Sequence, residues 1–312
     1  VGFHPNKSVL TPDGKSLYVA NGDADTISVV DVASHRQTAT IPVNRNGSKL
    51  VGANPTGLAL SQDGKRLYVT NSGHNEVAVI NVATRKVIGD IPTGWYPTQV
   101  LAHDGKLSIT SAKGLGAGPN NGPGHPNPTD PRDTAENQYS GSMIKGLLST
   151  VSEPDAATLA KLTATVEKNN TANDPARSSA VPNQIGTTSS KIKHVIYIVR
   201  ENRTFDQELG SNGRGNADPS LNLFGEESAP NTRALARQFT TFDNFYADAE
   251  VSANGWNWVS QANSNPWSEE MWPSNYSGRG APYPAESNDP DSRAKEHDSY
   301  FWEHLSKNNI SF

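Results

Sequence analysis

The chain has 312 residues, a formal net charge of −5, 26 glycines, 21 prolines and no cysteine. The lack of cysteine excludes disulfides, thiolate metal ligands and a thiol nucleophile. The acidic balance offers no basic face for a phosphate backbone, so we expect no nucleic-acid partner. The many glycines and prolines favour turns and long loops over a helical bundle.

The ends of the chain and its hydropathy bear on its context. No apolar run approaches the ~18 residues of a membrane span, so we expect no transmembrane segment in this chain. The chain starts at Val1 without an initiator methionine or an apolar leader, and it stops just after what resembles the start of a strand at Ile310–Phe312. We therefore expect it to be an internal part of a longer protein.

Residues 1–113 contain a repeat. The stretch Thr11–Asn21 matches Ser61–Asn71, and Ile27–Val32 matches Val77–Val82, an offset of 50 residues in both cases. Each copy alternates apolar and polar residues with the period of two that antiparallel strands show. A weaker third copy begins at Tyr96.

The turns of the repeat indicate the kind of sheet it forms. Asp-Gly pairs, which favour tight hairpins, occur in all three copies, at Asp13-Gly14, Asp63-Gly64 and Asp104-Gly105. A repeat of this length with short strands is typical of a β-propeller blade. The copies resemble the YVTN propeller repeats, with Tyr68-Val69-Thr70-Asn71 as the defining tetrapeptide. We predict two to three blades, fewer than the four that a closed ring requires.

Residues 114–190 are expected to link the blades to a second domain. Gly114–Asp133 is too rich in Gly, Pro and Asn for regular structure. Ser142–Val151 is typical of a last strand or a short amphipathic segment. Asp155–Asn169 has helical spacing of apolar residues after a favourable helix start, and predicts one short helix.

A different pattern begins at residue 191. His194–Val199 is apolar or β-branched without polar alternation, which predicts a strand buried on both faces of a parallel sheet. Glu201 and Asn202 follow this strand, and their carboxylate and amide oxygens suit a hard cation. The alternative is an exposed ion pair among Arg200, Glu201 and Arg203.

Several motifs of residues 191–312 carry a family resemblance. They are Ile192–Gly210, Gly215–Ser220, Leu223–Glu226, Ala234–Ala236 and Phe242–Ser252. Together they resemble the phosphoesterase family that includes bacterial phospholipases C and acid phosphatases, a branch of the alkaline-phosphatase-like superfamily. The resemblance implies the first part of an α/β domain, a divalent metal ion, a phosphate-ester substrate, and a periplasmic, secreted or cell-surface location.

The resemblance also implies roles for particular residues. Glu201 and Asn202 match the metal-binding Glu-Asn pair. Ser252 lies between a predicted strand, Thr241–Tyr246, and a predicted helix, Ala253–Ala262, where the superfamily places its nucleophile. A helix N-terminus favours bound phosphate, although an ordinary N-cap serine would have the same pattern.

The chain departs from the family at two places. It has Gly255-Trp256-Asn257-Trp258 where relatives carry Gly-His-Asn-Trp, and Thr232-Arg233-Ala234-Leu235-Ala236 where they carry His-His-Ala-Leu-Ala. Asn257 remains a candidate donor to a phosphate oxygen. Four tryptophans nearby would line a substrate cleft or, alternatively, cap a core or a domain contact: Trp256, Trp258, Trp267 and Trp272.

These features predict a multidomain β plus α/β protein, a partial β-propeller followed by an alkaline-phosphatase-like domain. The expected activity is metal-dependent hydrolysis of a phosphate ester with Ser252 as nucleophile. The resemblance implies further metal ligands from segments beyond Phe312. The alternative is a noncatalytic envelope or surface protein, whose propeller binds a protein or envelope ligand and whose phosphoesterase domain is degenerate.

Overall fold

The computed structural model describes residues 1–45, 52–116, 144–170, 194–264, 266–276 and 300–312. The chain forms two compact units, one comprising Val1–Pro175 with Ala249–Phe312 and the other Ala176–Asp248. The domain boundaries that we predict after residues 113 and 190 stay predictions. Most of the predicted Gly/Pro-rich segment lies outside the described residues.

The first unit is built on three antiparallel sheets. The first sheet has the order β1 (Pro5–Leu10), β2 (Ser16–Asn21), β3 (Thr26–Asp31) and β4 (Arg36–Pro42). The second repeats it with β5 (Pro55–Leu60), β6 (Arg66–Asn71), β7 (Glu76–Asn81) and β8 (Lys86–Pro92). The third comprises β9 (Pro97–His103), β10 (Lys106–Ser111) and β11 (Leu147–Ser152), with β10 in the middle.

The turns show why the repeat folds in this way. Gly14 and Gly64 end the first turn of their sheets at φ values of 72° and 69°, which glycine adopts without steric cost. Asp104 and Gly105 both have positive φ, at 48° and 68°, and join β9 to β10 as the two central residues of a tight hairpin. The predicted Asp-Gly turns are therefore confirmed.

The sheets pack face to face through two apolar clusters. The cluster of the first and second sheets includes Tyr18, Ile27, Ile41, Leu58, Leu67, Val69, Ala78 and Ile80. The cluster of the second and third sheets includes Tyr68, Val77, Val79, Ile91, Val100, Leu107 and Ile109. Alternate residues of β6 and β7 thus enter opposite clusters, as the pleat of a strand requires.

The arrangement of the sheets is that of propeller blades. The first strands of successive sheets, β1, β5 and β9, lie next to one another, and each sheet is a simple antiparallel meander. Three such sheets, stacked around their first strands, match the predicted two to three blades.

A strand and a helix follow in the segment predicted to be a linker. β11 lies within the predicted Ser142–Val151 segment but for its last residue, and α1 (Ala156–Asn170) confirms the predicted helix. Helix α1 packs on β8 of the second sheet. A Cβ at Gly89 would lie 2.6 Å from Leu159 Cγ, so glycine lets the helix approach closely.

Polar contacts also hold α1 to the second sheet. Arg45 places Nε 2.6 Å from Asp90 Oδ2 and Nη2 2.6 Å from Glu167 Oε1. Asn170 donates a hydrogen bond to Glu76 at 3.4 Å. Burial raises the pKa of Asp90 to about 7, with the Glu76 carboxylate adding to the shift and the Arg45 guanidinium opposing it.

We expect Asp90→Asn to change how stability depends on pH. The folded-state pKa of Asp90 lies above the ordinary 3.8, so its protonated form stabilises the fold at low pH. That contribution is lost as the pH rises toward about 7. The stability of the wild type relative to the variant should therefore fall between pH 5 and pH 7, by up to about 1.4 kcal/mol per pH unit.

Thermal or urea unfolding of both proteins at several pH values measures this difference. Asp104→Asn is the matched control, because its side chain is 76% exposed. A wild-type-minus-variant difference that stays constant across this pH range would contradict the prediction.

The second unit contains short helices. Helix α2 (Phe205–Leu209) begins with a capping box between Thr204 and Gln207. A 3₁₀ turn at Pro219–Leu221 and helix α3 (Pro230–Gln238) follow.

The strands that we predict in this part of the chain are absent from the structure. Residues 194–200 and 241–246 form no strand, and Ile196 and Phe245 are each 86% exposed. A strand needs a neighbour to accept and donate its backbone hydrogen bonds, and no strand lies between residues 194 and 248. The apolar run therefore has no sheet to join within the described part of this unit.

Three helices return the chain to the first unit. They are α4 (Ser252–Gln261), α5 (Pro266–Asn275) and α6 (Phe301–Lys307). Helix α4 contacts both α5 and α6. Among the helices of the described ranges, none has the length and apolarity needed to cross a membrane.

Candidate functional site

Ser252 lies at the start of a helix, as the sequence predicts. The N-cap position of α4 is Val251, so Ser252 is the first helical residue and not the cap. Its side chain is partly exposed, whereas Ala253 and Asn254 behind it are buried. The backbone N–H groups of a first helical turn attract anions. This position suits a hydroxyl that reacts with a phosphate group.

Buried polar side chains surround the first turn of α4. The amide oxygen of Asn254 accepts a hydrogen bond from the backbone N–H of Val251 at 3.2 Å. Its amide nitrogen donates to Glu269 Oε1 at 3.2 Å and, at 3.4 Å, to Glu250. Asn254 is fully buried, and the Glu269 side chain is 2% exposed.

Lys113 joins this network from the third sheet. Its ammonium lies 2.9 Å from Glu250 Oε1 and 2.8 Å from Glu269 Oε2, and 5.3 Å from the centre of the Tyr96 ring. Burial opposes the charged form, but the two carboxylates outweigh it and hold the pKa of Lys113 above its ordinary value. Burial and the nearby glutamates raise the pKa of Tyr96 well above the usual range, so both groups keep their protons at neutral pH.

Glu201 and Asn202 are both exposed and lie in the second unit. Arg203 donates from Nη1 to the carbonyl oxygen of Asn202 at 3.0 Å. Arg200 instead pairs with Glu208 at 3.0 Å and donates to Thr232 at 2.7 Å. The alternative of an ion pair among Arg200, Glu201 and Arg203 is therefore wrong for Arg200, because its carboxylate partner is Glu208.

The side-chain oxygens of Glu201 and Asn202 are of a type that binds divalent cations. A carboxylate and an amide oxygen are ligands that Mg²⁺ and Ca²⁺ accept, although such ions take six or more oxygens. Within the described residues, no group of three or more His, Cys, Asp or Glu side chains is placed to hold a metal ion. Glu201 and Asn202 would therefore supply only part of a coordination shell.

Asn257 does not present its amide to solvent. It is 2% exposed, and its Nδ2 donates to Ser268 Oγ at 3.3 Å, joining α4 to α5. We predicted that Asn257 donates to a phosphate oxygen. In the structure, Asn257 instead lies in the contact between α4 and α5.

The second departure from the family pattern also has a structural role. Arg233 is 4% exposed. Its guanidinium donates to the Glu208 carbonyl at 3.0 Å and to Ser211 Oγ at 2.9 Å, and it pairs with Glu226 at 3.2 Å. Sequence reasoning missed this role and that of Lys113, because neither residue belongs to a motif that marks a buried cation.

Comparison with known proteins does not assign a family. No protein-family model matches the chain, and no curated protein matches it. Among solved structures, Kuenenia stuttgartiensis hydrazine synthase is 21% identical with a TM-score of 0.31, covering 36% of this chain and 31% of that chain. The Cps50 (Swd1) β-propeller domain of Myceliophteria thermophila is 12% identical with a TM-score of 0.30, covering 36% and 34%.

A protein from Lactobacillus plantarum is 24% identical with a TM-score of 0.32, covering 36% of this chain and 35% of that chain. The chain spans about one third of the length of each of these structures. At TM-scores of 0.30 to 0.32 the likenesses add nothing to the sheet topology described above. The propeller-like fold rests on the packing of the three sheets themselves.

Proposed function

We propose that the protein is a metal-dependent phosphoric ester hydrolase in which Ser252 is the nucleophile. The observation that carries the proposal is the position of Ser252, partly exposed at the first turn of a helix ten residues long. The Glu201–Asp206 motif and its resemblance to phosphoesterases support the same reaction class. The proposal carries with it a periplasmic, secreted or cell-surface location.

The reaction that this site would perform is transfer of a phosphoryl group to Ser252. The hydroxyl oxygen loses its proton as it attacks phosphorus, the bond from phosphorus to the leaving oxygen breaks, and the leaving oxygen takes up a proton. Water then attacks phosphorus, the bond from phosphorus to Ser252 Oγ breaks, and this oxygen regains a proton. The product is phosphate from a monoester or a phosphomonoester from a diester. The first-turn N–H groups of α4 would hold phosphate oxygens while charge develops on them.

Glu201 and Asn202 would hold a divalent metal ion together with ligands outside the described residues. Such an ion neutralises phosphate charge and lowers the pKa of a bound hydroxyl. Glu201 would supply an anionic oxygen ligand and Asn202 a neutral one.

A second function is favoured by the two positions where the chain departs from the family pattern. The amide of Asn257 bonds to Ser268 in the contact between α4 and α5. Arg233, which stands where relatives carry histidine, is a buried structural residue. Both observations suit a noncatalytic surface protein whose propeller binds a protein or envelope ligand and whose phosphoesterase domain is degenerate.

An activity assay with defined metals separates the two functions. The protein at its full natural length, stripped with a chelator, is given a phosphomonoester or a phosphodiester with Mg²⁺, Mn²⁺, Ca²⁺ or Zn²⁺ in turn. Hydrolysis that returns with one metal supports the enzyme. Absence of hydrolysis with every combination would favour the surface protein.

We expect Glu201→Gln to weaken metal binding at least about tenfold, because the charge of the ligands sets the affinity for hard cations. The measurement is the metal concentration that restores half of the activity. Glu227→Gln is the matched control, as Glu227 is an exposed glutamate of the same unit. Equal metal requirements in the two variants would remove Glu201 from the site.

A further inference from the structure

Charged side chains join the end of the third sheet to the start of the Ser252 helix. Lys113 follows β10 by two residues and reaches Glu250, just before α4, and Glu269 in the first turn of α5. Its side chain is 22% exposed, and that of Glu250 20%. These groups are shielded from water far more than a surface ion pair.

Asn254 transmits this contact to the backbone at Ser252. It is the third residue of α4 and is fully buried. One side of its amide donates to Glu269, and the other side accepts from the N–H of Val251, the residue before Ser252. A continuous chain of hydrogen bonds therefore runs from Lys113 through Glu269 and Asn254 to the N-cap of α4.

Such a network is a poor way to gain stability. Desolvation of buried charges offsets most of their attraction, and apolar residues of similar volume often stabilise a fold equally well. The network does fix the orientation of its side chains, because each hydrogen bond requires a particular geometry of donor and acceptor. A fixed geometry is what a nucleophile at a helix N-terminus requires.

We propose that Lys113, Glu269 and Asn254 are positioning residues that fix the first turn of α4, and with it Ser252, against the third sheet of the propeller. The effect on Ser252 as a nucleophile rests on the proposed function. The docking of α4 against the third sheet does not depend on it. None of the three residues needs to touch phosphate. They act through the backbone at Val251, and Tyr96 packs its ring beneath the ammonium of Lys113.

The docking is tested without any substrate. Hydrogen exchange read by mass spectrometry follows peptides that span residues 250–256 in wild type, Lys113→Met and Lys113→Arg. We expect the hydrogen-bonded amides of Val251 and Gly255 to exchange at least about tenfold faster in Lys113→Met. Lys113→Arg, which keeps the charge, should restore part of the protection.

Lys106→Met is the matched control, because Lys106 is an exposed residue of the neighbouring strand β10. Exchange in this control should equal that of wild type. If Lys113→Met does not fold, Glu269→Gln replaces it, since this change removes the charge but not the size. Unchanged exchange in residues 250–256 in the folded variant would overturn the proposal.

The catalytic arm uses the phosphoester that the full-length protein hydrolyses best. We expect Lys113→Met to lower kcat at least about tenfold and to change KM less than twofold, because the substrate still binds while its nucleophile is misplaced. Equal kcat values would overturn positioning for catalysis. A wild type without activity would defeat the proposed function, and the exchange experiment would still decide the docking.

Discussion

Replacing Ser252 with alanine is expected to lower phosphoester hydrolysis at least about 10³-fold while leaving the fold intact. Loss of a covalent nucleophile removes the attacking oxygen altogether, and residual rates then come from binding and electrostatic stabilisation alone. Alanine suits the first turn of a helix, so α4 should form as before. The measurement is kcat/KM with the best phosphoester and metal.

Two controls give this experiment its meaning. Ser274→Ala removes an exposed hydroxyl of α5 that donates to the Met271 carbonyl at 3.1 Å, and it should keep wild-type activity. Rapid quenching of the wild type should trap phosphate on the peptide that contains Ser252. Wild-type activity in Ser252→Ala would remove the nucleophile role, whichever reaction the protein performs.

Trp272→Ala is expected to destabilise the first unit by about 3–5 kcal/mol, the usual result of truncating a buried tryptophan. Trp272 is 1% exposed and clusters with Ala253 of α4, together with Val251, Ile144 and Tyr276. Its loss opens a cavity directly behind the first turn of α4. The midpoint of urea unfolding measures the effect.

Trp256→Ala is the matched control, because Trp256 lies on α4 itself and is 43% exposed. Its truncation should cost less than about 1 kcal/mol, as surface changes usually do. Similar losses for both tryptophans would contradict the burial seen here. Within the tryptophan cluster, the burial of Trp272 agrees with a place in a core, whereas Trp256 is partly exposed.

The propeller-like part of the fold could be predicted because its signals are local. Alternation along a strand decides which face is buried, and an Asp-Gly pair decides where the chain reverses. Tyr68 and Val79 illustrate this, because they pair across β6 and β7 and enter the same core cluster. No distant residue is needed to predict either side chain as buried.

The rest of the site depends on residues that are far apart in sequence. His194–Val199 has the composition of a buried strand, yet composition cannot supply a neighbouring strand, and residues 194–248 contain none. Lys113 and Glu269 form one ion pair although 156 positions separate them. The sequence predicts that the amide of Asn257 binds a ligand. Its actual partner, Ser268, becomes evident only from the packing of α4 on α5.

The third sheet has a consequence for the order of folding. In the first two sheets every strand pairs with the next one along the chain, through short turns, whereas β11 reaches β10 across residues 112–146. Pairing between strands that are distant in sequence slows folding. The first two sheets should therefore form early and template the third.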